Sequence, residues 1–141
     1  MIRKLRKTEI DDIADIWLDT NLTAHSFLSA QYWRSHFNMV KELFLQAEIY
    51  VYENEKGIQG FVGLEGEYIA GIFVRGQAQC QGIGKCLLNF VKDRKERLRL
   101  HVYQKNMRAI RFYQREGFEI QCESLDEDTG EKEFVMIWQR K

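Results

Sequence analysis

Gln79-Cys80-Gln81-Gly82-Ile83-Gly84 is the stretch on which the reading of this chain turns. It lies between an apolar, strand-like run, Ile69-Ala70-Gly71-Ile72-Phe73-Val74, and a helical run, Lys85-Cys86-Leu87-Leu88-Asn89-Phe90-Val91-Lys92. Strand, glycine-rich turn and helix start together form a phosphate-holding arrangement. Glycines let the backbone come close, and N–H groups at the helix N-terminus face the anion. Two common nucleotide motifs are excluded. A dinucleotide fingerprint needs a further glycine where Leu87 stands. A Walker A loop needs glycine at Gln79 and a hydroxyl residue at Cys86.

A second segment reads Asn106-Met107-Arg108-Ala109-Ile110-Arg111-Phe112-Tyr113-Gln114-Arg115-Glu116-Gly117-Phe118. Asn106 suits a helix N-cap, and Gly117 suits a left-handed helix stop. Ala109, Phe112 and Tyr113 share one helix face. Ahead of it, Leu98, Leu100 and Val102 alternate with Arg99, His101 and Tyr103 as in a strand. With Gln-x-x-Gly-x-Gly at 79–84 and Asn-x-x-Ala-x-x-Phe-Tyr-x-x-x-Gly-Phe at 106–118, separated by a helix and a strand, the chain resembles the GNAT superfamily of acyl-CoA-dependent N-acyltransferases.

Composition agrees with an ordinary folded enzyme domain. The 141 residues suit one domain over 1–141 with one buried core, and 45% hydrophobic content argues against disorder. Basic and acidic residues balance at 21 each, so bulk charge points to neither a nucleic-acid nor a membrane partner. The basic start, Met1 to Lys7, has no apolar run after it of the kind a signal peptide carries, and no stretch is long enough to span a bilayer. A soluble, cytoplasmic protein is expected. Cys80, Cys86 and Cys122 are too few and too irregularly spaced for a disulfide framework. A zinc site from them and His101 lacks any Cys-x-x-Cys pair, so no metal is expected.

The remaining pattern gives a first strand at Ile2–Arg6 and a helix opened by a Thr8/Asp11 capping box, with Ile10, Ile13, Ala14 and Trp17 as its stripe. A loop follows over Asn21–Leu28. Ser29 then caps a second helix carrying Trp33, Phe37, Val40 and Phe44. Strands are expected at Glu48–Glu53, Gly60–Leu64, Tyr68–Val74, Glu119–Glu123 and Phe134–Trp138, with an acidic loop at Asp126–Gly130. The fold class is α/β (α+β), a mixed sheet of about six or seven strands with about four helices.

The resemblance implies that the sheet is mostly antiparallel and splays between its fourth and fifth strands. It implies acetyl-CoA as acyl donor. The pantetheine arm would run along Ile72, Phe73 and Val74, and one N–H there would polarise the thioester carbonyl. The pyrophosphate would meet the turn of Gln79, Gln81, Gly82, Ile83, Gly84 and Lys85. Asn106 would touch the cofactor arm, and Tyr113 would protonate the leaving thiolate. The amine attacks directly, with no covalent enzyme intermediate. The family's usual proline after the fourth strand is missing, as is the basic residue beside the first motif glycine. Those places read Val74-Arg75-Gly76-Gln77 and Gln81-Gly82, so side-chain help with phosphate falls to Arg75, Lys85 or another cation. For the acceptor, Glu67, Tyr68 and His25 are the candidates for receiving the proton, and His25, Phe27 and Tyr68 for lining the pocket. Tyr68 enters by strand register and His25 from the covering loop, with an imidazole that would titrate near neutrality. The acceptor expected is a primary amine, a protein lysine or a peptide α-amine. A small-molecule amine or amino acid is the alternative, as is a CoA-binding regulatory module without catalysis. A monomer or homodimer is expected.

Overall fold

Hydrophobic alternation becomes one seven-stranded sheet in a computed structural model that describes residues 1–141. Its strands are β1 (Ile2–Lys4), β2 (Glu48–Asn54), β3 (Gly57–Glu65), β4 (Tyr68–Val74), β5 (Arg97–Tyr103), β6 (Glu119–Leu125) and β7 (Lys132–Gln139). They lie in the order β1-β2-β3-β4-β5-β7-β6. Every neighbouring pair is antiparallel except β4 with β5. That parallel pair is bonded only at Tyr68↔Arg99 and Ile69↔Leu100. Beyond Ile69 the edge of β4 that faces β5 has no strand partner, so the two strands part as expected. A register shift between Gly63 and Leu64 puts Ala70 at a bulge in β4 just where they separate.

The helices are α1 (Ile10–Ala24), α2 (Ala30–Ser35), α3 (Phe37–Phe44), α4 (Ile83–Lys92) and α5 (Met107–Arg115). That is one more than expected, because the stretch after Ser29 breaks at His36. The hydroxyl of Ser35 and Nδ1 of His36 both bond the Tyr32 carbonyl at 2.7 Å. The His36 N–H is left with the Trp33 carbonyl, closing a tighter turn. Ser29 caps α2 as expected, accepting from Tyr32 N–H.

Helix α1 differs at both ends from its sequence reading. Its entry is not a Thr8/Asp11 box. Glu9 accepts from Arg6 N–H at 2.9 Å and takes the Arg3 guanidinium on both oxygens. These bonds to Arg3 hold the Glu9 carboxyl down to about 2. At its far end α1 runs through Asn21 to Ala24, so half of the expected loop is helix.

Two apolar layers flank the sheet. On one face α4 and α5 bury Leu87, Leu88, Val91 and Ile110 against Leu98, Leu100 and Met136. On the other, α1–α3 bury Ile13, Ile16, Trp17, Trp33 and Val40 against Val51 and Phe61. Burial of this many large side chains, each worth about 1.5–3 kcal/mol, is what holds the splayed sheet in shape. No helix is long and apolar enough to cross a membrane.

Candidate active site

A channel of about 1200 Å³ opens between the free edge of β4, the start of α4, helix α5 and the end of α1. Its floor is Ile72, Phe73 and Val74, whose backbone groups toward β5 lack a strand partner. The floor is shaped by Gly71. A Cβ there would lie 2.4 Å from the Phe73 ring, which uses that space to pack on Phe61 at 5.0 Å between centroids.

The turn after β4 is braced from several sides. Arg75 donates from its backbone N–H to Gln59 O and from Nε to Ile58 O, both at 2.8 Å, so it anchors the turn to β3. Gln79 donates to Val74 O at 3.0 Å and accepts from Arg108 at 3.1 Å. Arg108 also reaches Cys80 Sγ. Cys80 and Gly82 both take positive φ, 64° and 80°. Gly82 is the N-cap of α4. Its conformation is one that a side chain strains, although nothing crowds its Cβ position. Cys86 N–H is bonded back to Gly82 O at 3.0 Å. The earlier N–H groups, of Ile83, Gly84 and Lys85, are thereby left at the open helix start. At Gly84 a Cβ would meet the Phe112 ring of α5 at 3.5 Å, an ordinary packing contact. Ile83 is buried, so only its backbone faces the channel.

Helix α5 has the caps its sequence announced. Asn106 Oδ1 accepts from Ala109 N–H at 3.2 Å. At the other end Phe118 N–H bonds Tyr113 O and Gly117 N–H bonds Gln114 O, with Gly117 at φ 93° and Phe118 packed on the Tyr113 ring. This stop fixes Tyr113, which is 8% exposed and lines the channel. Burial raises its hydroxyl well above the usual phenol range, with a further push from Tyr68. A phenol so placed stays protonated at neutral pH, with its O–H available to donate.

His25 ends α1 and is held on both ring nitrogens. Asn21 Nδ2 donates to Trp17 O at 2.8 Å, so Asn21 Oδ1 accepts from His25 Nδ1–H at 2.7 Å. Asn106 Oδ1 is taken by Ala109, so Asn106 Nδ2 donates to His25 Nε2 at 2.9 Å. The chain of bonds defines a neutral imidazole that joins the end of α1 to the start of α5. Phe27, Trp33 and Tyr103 surround the ring at 5.0 to 5.7 Å. Burial lowers its pKa to about 4, so it does not titrate near neutrality as a free imidazole would.

The structure brings together at the channel wall Ile72, Phe73, Val74, Gln79, Gly82, Ile83, Gly84, Lys85, Asn106, Tyr113 and His25. Gln81 stands outside the wall, its amide turned to Gln77 O. Phe27 packs behind His25 against Tyr103. Tyr68 stands at the paired end of β4, edge-on to His101 and under Arg99. His25 and Tyr68 therefore do not meet across one pocket. The sequence reading passed over Asn21, Arg108 and Lys105. Asn21 was findable, because with Trp17 and His25 it repeats at four-residue spacing along a buried face. Arg108, Lys85, Lys105 and Arg115 give the channel a cationic rim.

Comparison with known proteins adds to this geometry. A family model described as an acetyltransferase (GNAT) domain matches residues 46–120. The peptidyl-lysine N-acetyltransferase YiaC of Escherichia coli is 37% identical over 140 residues, 98% of this chain and 96% of that protein. The solution structure of apo YjaB from Escherichia coli superposes with a TM-score of 0.87 at 25% identity, over 97% of this chain and 95% of the other. PaiA N-acetyltransferase from Thermoplasma acidophilum, solved with coenzyme A, has the same fold, with a TM-score of 0.82, 19% identity and coverage of 99% and 98%.

Proposed function

The chain belongs to the GNAT acetyltransferase family, and from that premise we propose that it transfers the acetyl group of acetyl-CoA to lysine side chains of proteins by direct amine attack. The observation that carries the reading is the conjunction, on one channel, of the unpartnered edge of β4, the open N-terminus of α4 and the buried Tyr113 hydroxyl. The residues present fit acetyl-CoA. An arm with peptide-like amides can pair with the free edge at Ile72–Val74, and a pyrophosphate suits the N–H groups from Gln81 to Lys85 with the α4 dipole behind them. Lys85 and Arg108 supply the side-chain cations. Arg75, tied to Ile58 O, is not part of the channel wall, whereas Arg108 is, so the help expected of Arg75 falls to Arg108.

Bound there, acetyl-CoA supplies an activated thioester carbonyl. The backbone N–H near Phe73 or Val74 polarises it as charge develops on oxygen. Asn106, with its orientation set by Ala109 N–H and His25, holds the arm beside Tyr113. Tyr113 donates its proton to the departing sulfur. Proximity in the ternary complex supplies much of the rate. The lysine acceptor is supported by the near full-length similarity to a protein named for that activity.

The test is acetyl-CoA turnover, read as free thiol, against lysine peptides, free amino acids and polyamines, with mass spectrometry locating the acetyl group. Modification of lysine Nζ in peptides is expected. Turnover confined to polyamines or amino acids would replace protein lysine with a small amine, and coenzyme A binding without turnover on any amine would leave a binding module.

A further inference from the structure

Resting on the acyl-transfer reading above, we propose that His101 is the base that deprotonates the acceptor amine and that Glu133 positions its ring. The last bonded pair of β4 and β5 is Ile69↔Leu100. His101 is the next residue of β5, one past that last pair, where β4 has its bulge at the exposed Ala70 and the strands begin to part. Strand alternation sends Leu100 and Val102 into the core and His101 to the opposite face. On that face its Nδ1 lies 3.4 Å from Glu133 Oε1 on β7 and 3.4 Å from Ser124 Oγ on β6. Nε2 has no protein partner.

The other histidines are unsuited to the task. Both nitrogens of His25 are taken inside an aromatic box. His36 is tied to Tyr32 O at the α2–α3 break. At His101 a half-buried carboxylate behind one nitrogen leaves the other free to accept, the arrangement that makes an imidazole an effective base. Glu133 has only 16% of its side chain exposed. Burial raises its pKa while His101 opposes the rise, as a carboxylate paired with an imidazole should behave. Tyr68 sits edge-on to His101 at 5.7 Å. Tyr113 belongs to the apolar layer that Leu100 and Val102 enter, so base and acid lie on opposite faces of the sheet beside its fork.

The proton balance closes. One ammonium proton passes to His101 Nε2 and then to solvent. The freed lone pair forms the C–N bond, and the C–S bonding pair leaves on sulfur. Tyr113 protonates that sulfur, and a second proton from nitrogen restores Tyr113. The charged and titratable groups around His101 are Glu133 and Ser124, Tyr68 with Arg99 over it, Tyr103 with its Asp126 partner, and Glu65 acting on Tyr68.

The experiment measures kcat/KM against pH for a lysine peptide in the wild type, His101→Ala and Glu133→Gln, with acetyl-CoA affinity by calorimetry as the check on folding. At neutral pH His101→Ala should cut kcat/KM by about 10²–10⁴ with acetyl-CoA affinity retained. The defect should shrink as pH approaches about 10.4, where lysine deprotonates unaided. Glu133→Gln removes the carboxylate beside Nδ1 and should lower kcat/KM with acetyl-CoA affinity retained. A His101→Ala profile that matches wild type, or that is lowered equally at every pH, overturns the proposal. A wild type that turns over no amine overturns the acyl-transfer reading itself, and this one with it.

Discussion

Replacing His25 with phenylalanine separates its role as a neutral bridge from any role as a base. The ring contacts with Phe27, Trp33 and Tyr103 survive the change, but both hydrogen bonds go. Asn21 is 3% exposed, so its Oδ1 is stranded without water, at a cost of about 1–3 kcal/mol. Asn106 loses the partner that aims its amide, so acetyl-CoA affinity should fall as well. The pH dependence gives the sharper test. His25 drops from an ordinary 6.5 in the unfolded chain to about 4 in the fold. Its neutral form is thus favoured on folding, and the unfolded chain binds the extra proton. The contribution is complete above pH 6.5 and is lost as pH falls toward 4, amounting to about 3 kcal/mol by that point at about 1.4 kcal/mol per pH unit. Urea unfolding of both proteins from pH 7 to pH 4 should therefore show the wild type losing its advantage, with the two curves converging at the acid end. Groups such as Glu9 and Glu133 titrate in both proteins and cancel in the difference. Stability curves that stay parallel over that interval would refute the bridge.

Other outcomes follow from the same geometry. Tyr113→Phe keeps the packing on Phe118 and removes only the hydroxyl, so kcat should fall by about 10²–10⁴ while acetyl-CoA affinity holds; single-turnover kinetics with a rate near wild type would reduce Tyr113 to a packing residue. Gly82→Asp puts strain at φ 80° and a negative charge at the α4 start, so coenzyme A binding should disappear by calorimetry from a protein whose circular dichroism is unchanged. Gly71→Ala forces the Phe73 ring off its seat against Phe61 and should cost about 1–3 kcal/mol in urea unfolding, with a raised KM for acetyl-CoA.

The cofactor half of the site was legible in the sequence because its signals are local. A glycine at positive φ, an asparagine three residues ahead of the N–H it caps, and a left-handed glycine stop each act within a few residues. The same holds for the strand alternation of Arg97–Tyr103 and for the stripe of α4. Even the errors were local in origin. The break at His36 arose because side chains took a backbone carbonyl, and the α1 entry arose because Glu9 found Arg3.

The long-range contacts of the candidate site were not legible, and the reason is distance along the chain. His25 meets Asn106 across 81 residues, and His101 meets Glu133 only because β7 inserts between β5 and β6. Periodicity says which face a residue takes, but not which strand lies beside it. Local pattern thus determined the strands, helices, caps and phosphate turn of this chain. Tertiary packing alone decided that β4 and β5 part after Ile69, that His25 is a neutral bridge held on both ring nitrogens, and that His101 of β5 meets Glu133 of β7. Those facts depend on which surfaces the sheet order and helix docking bring into contact, and no run of neighbouring residues encodes them.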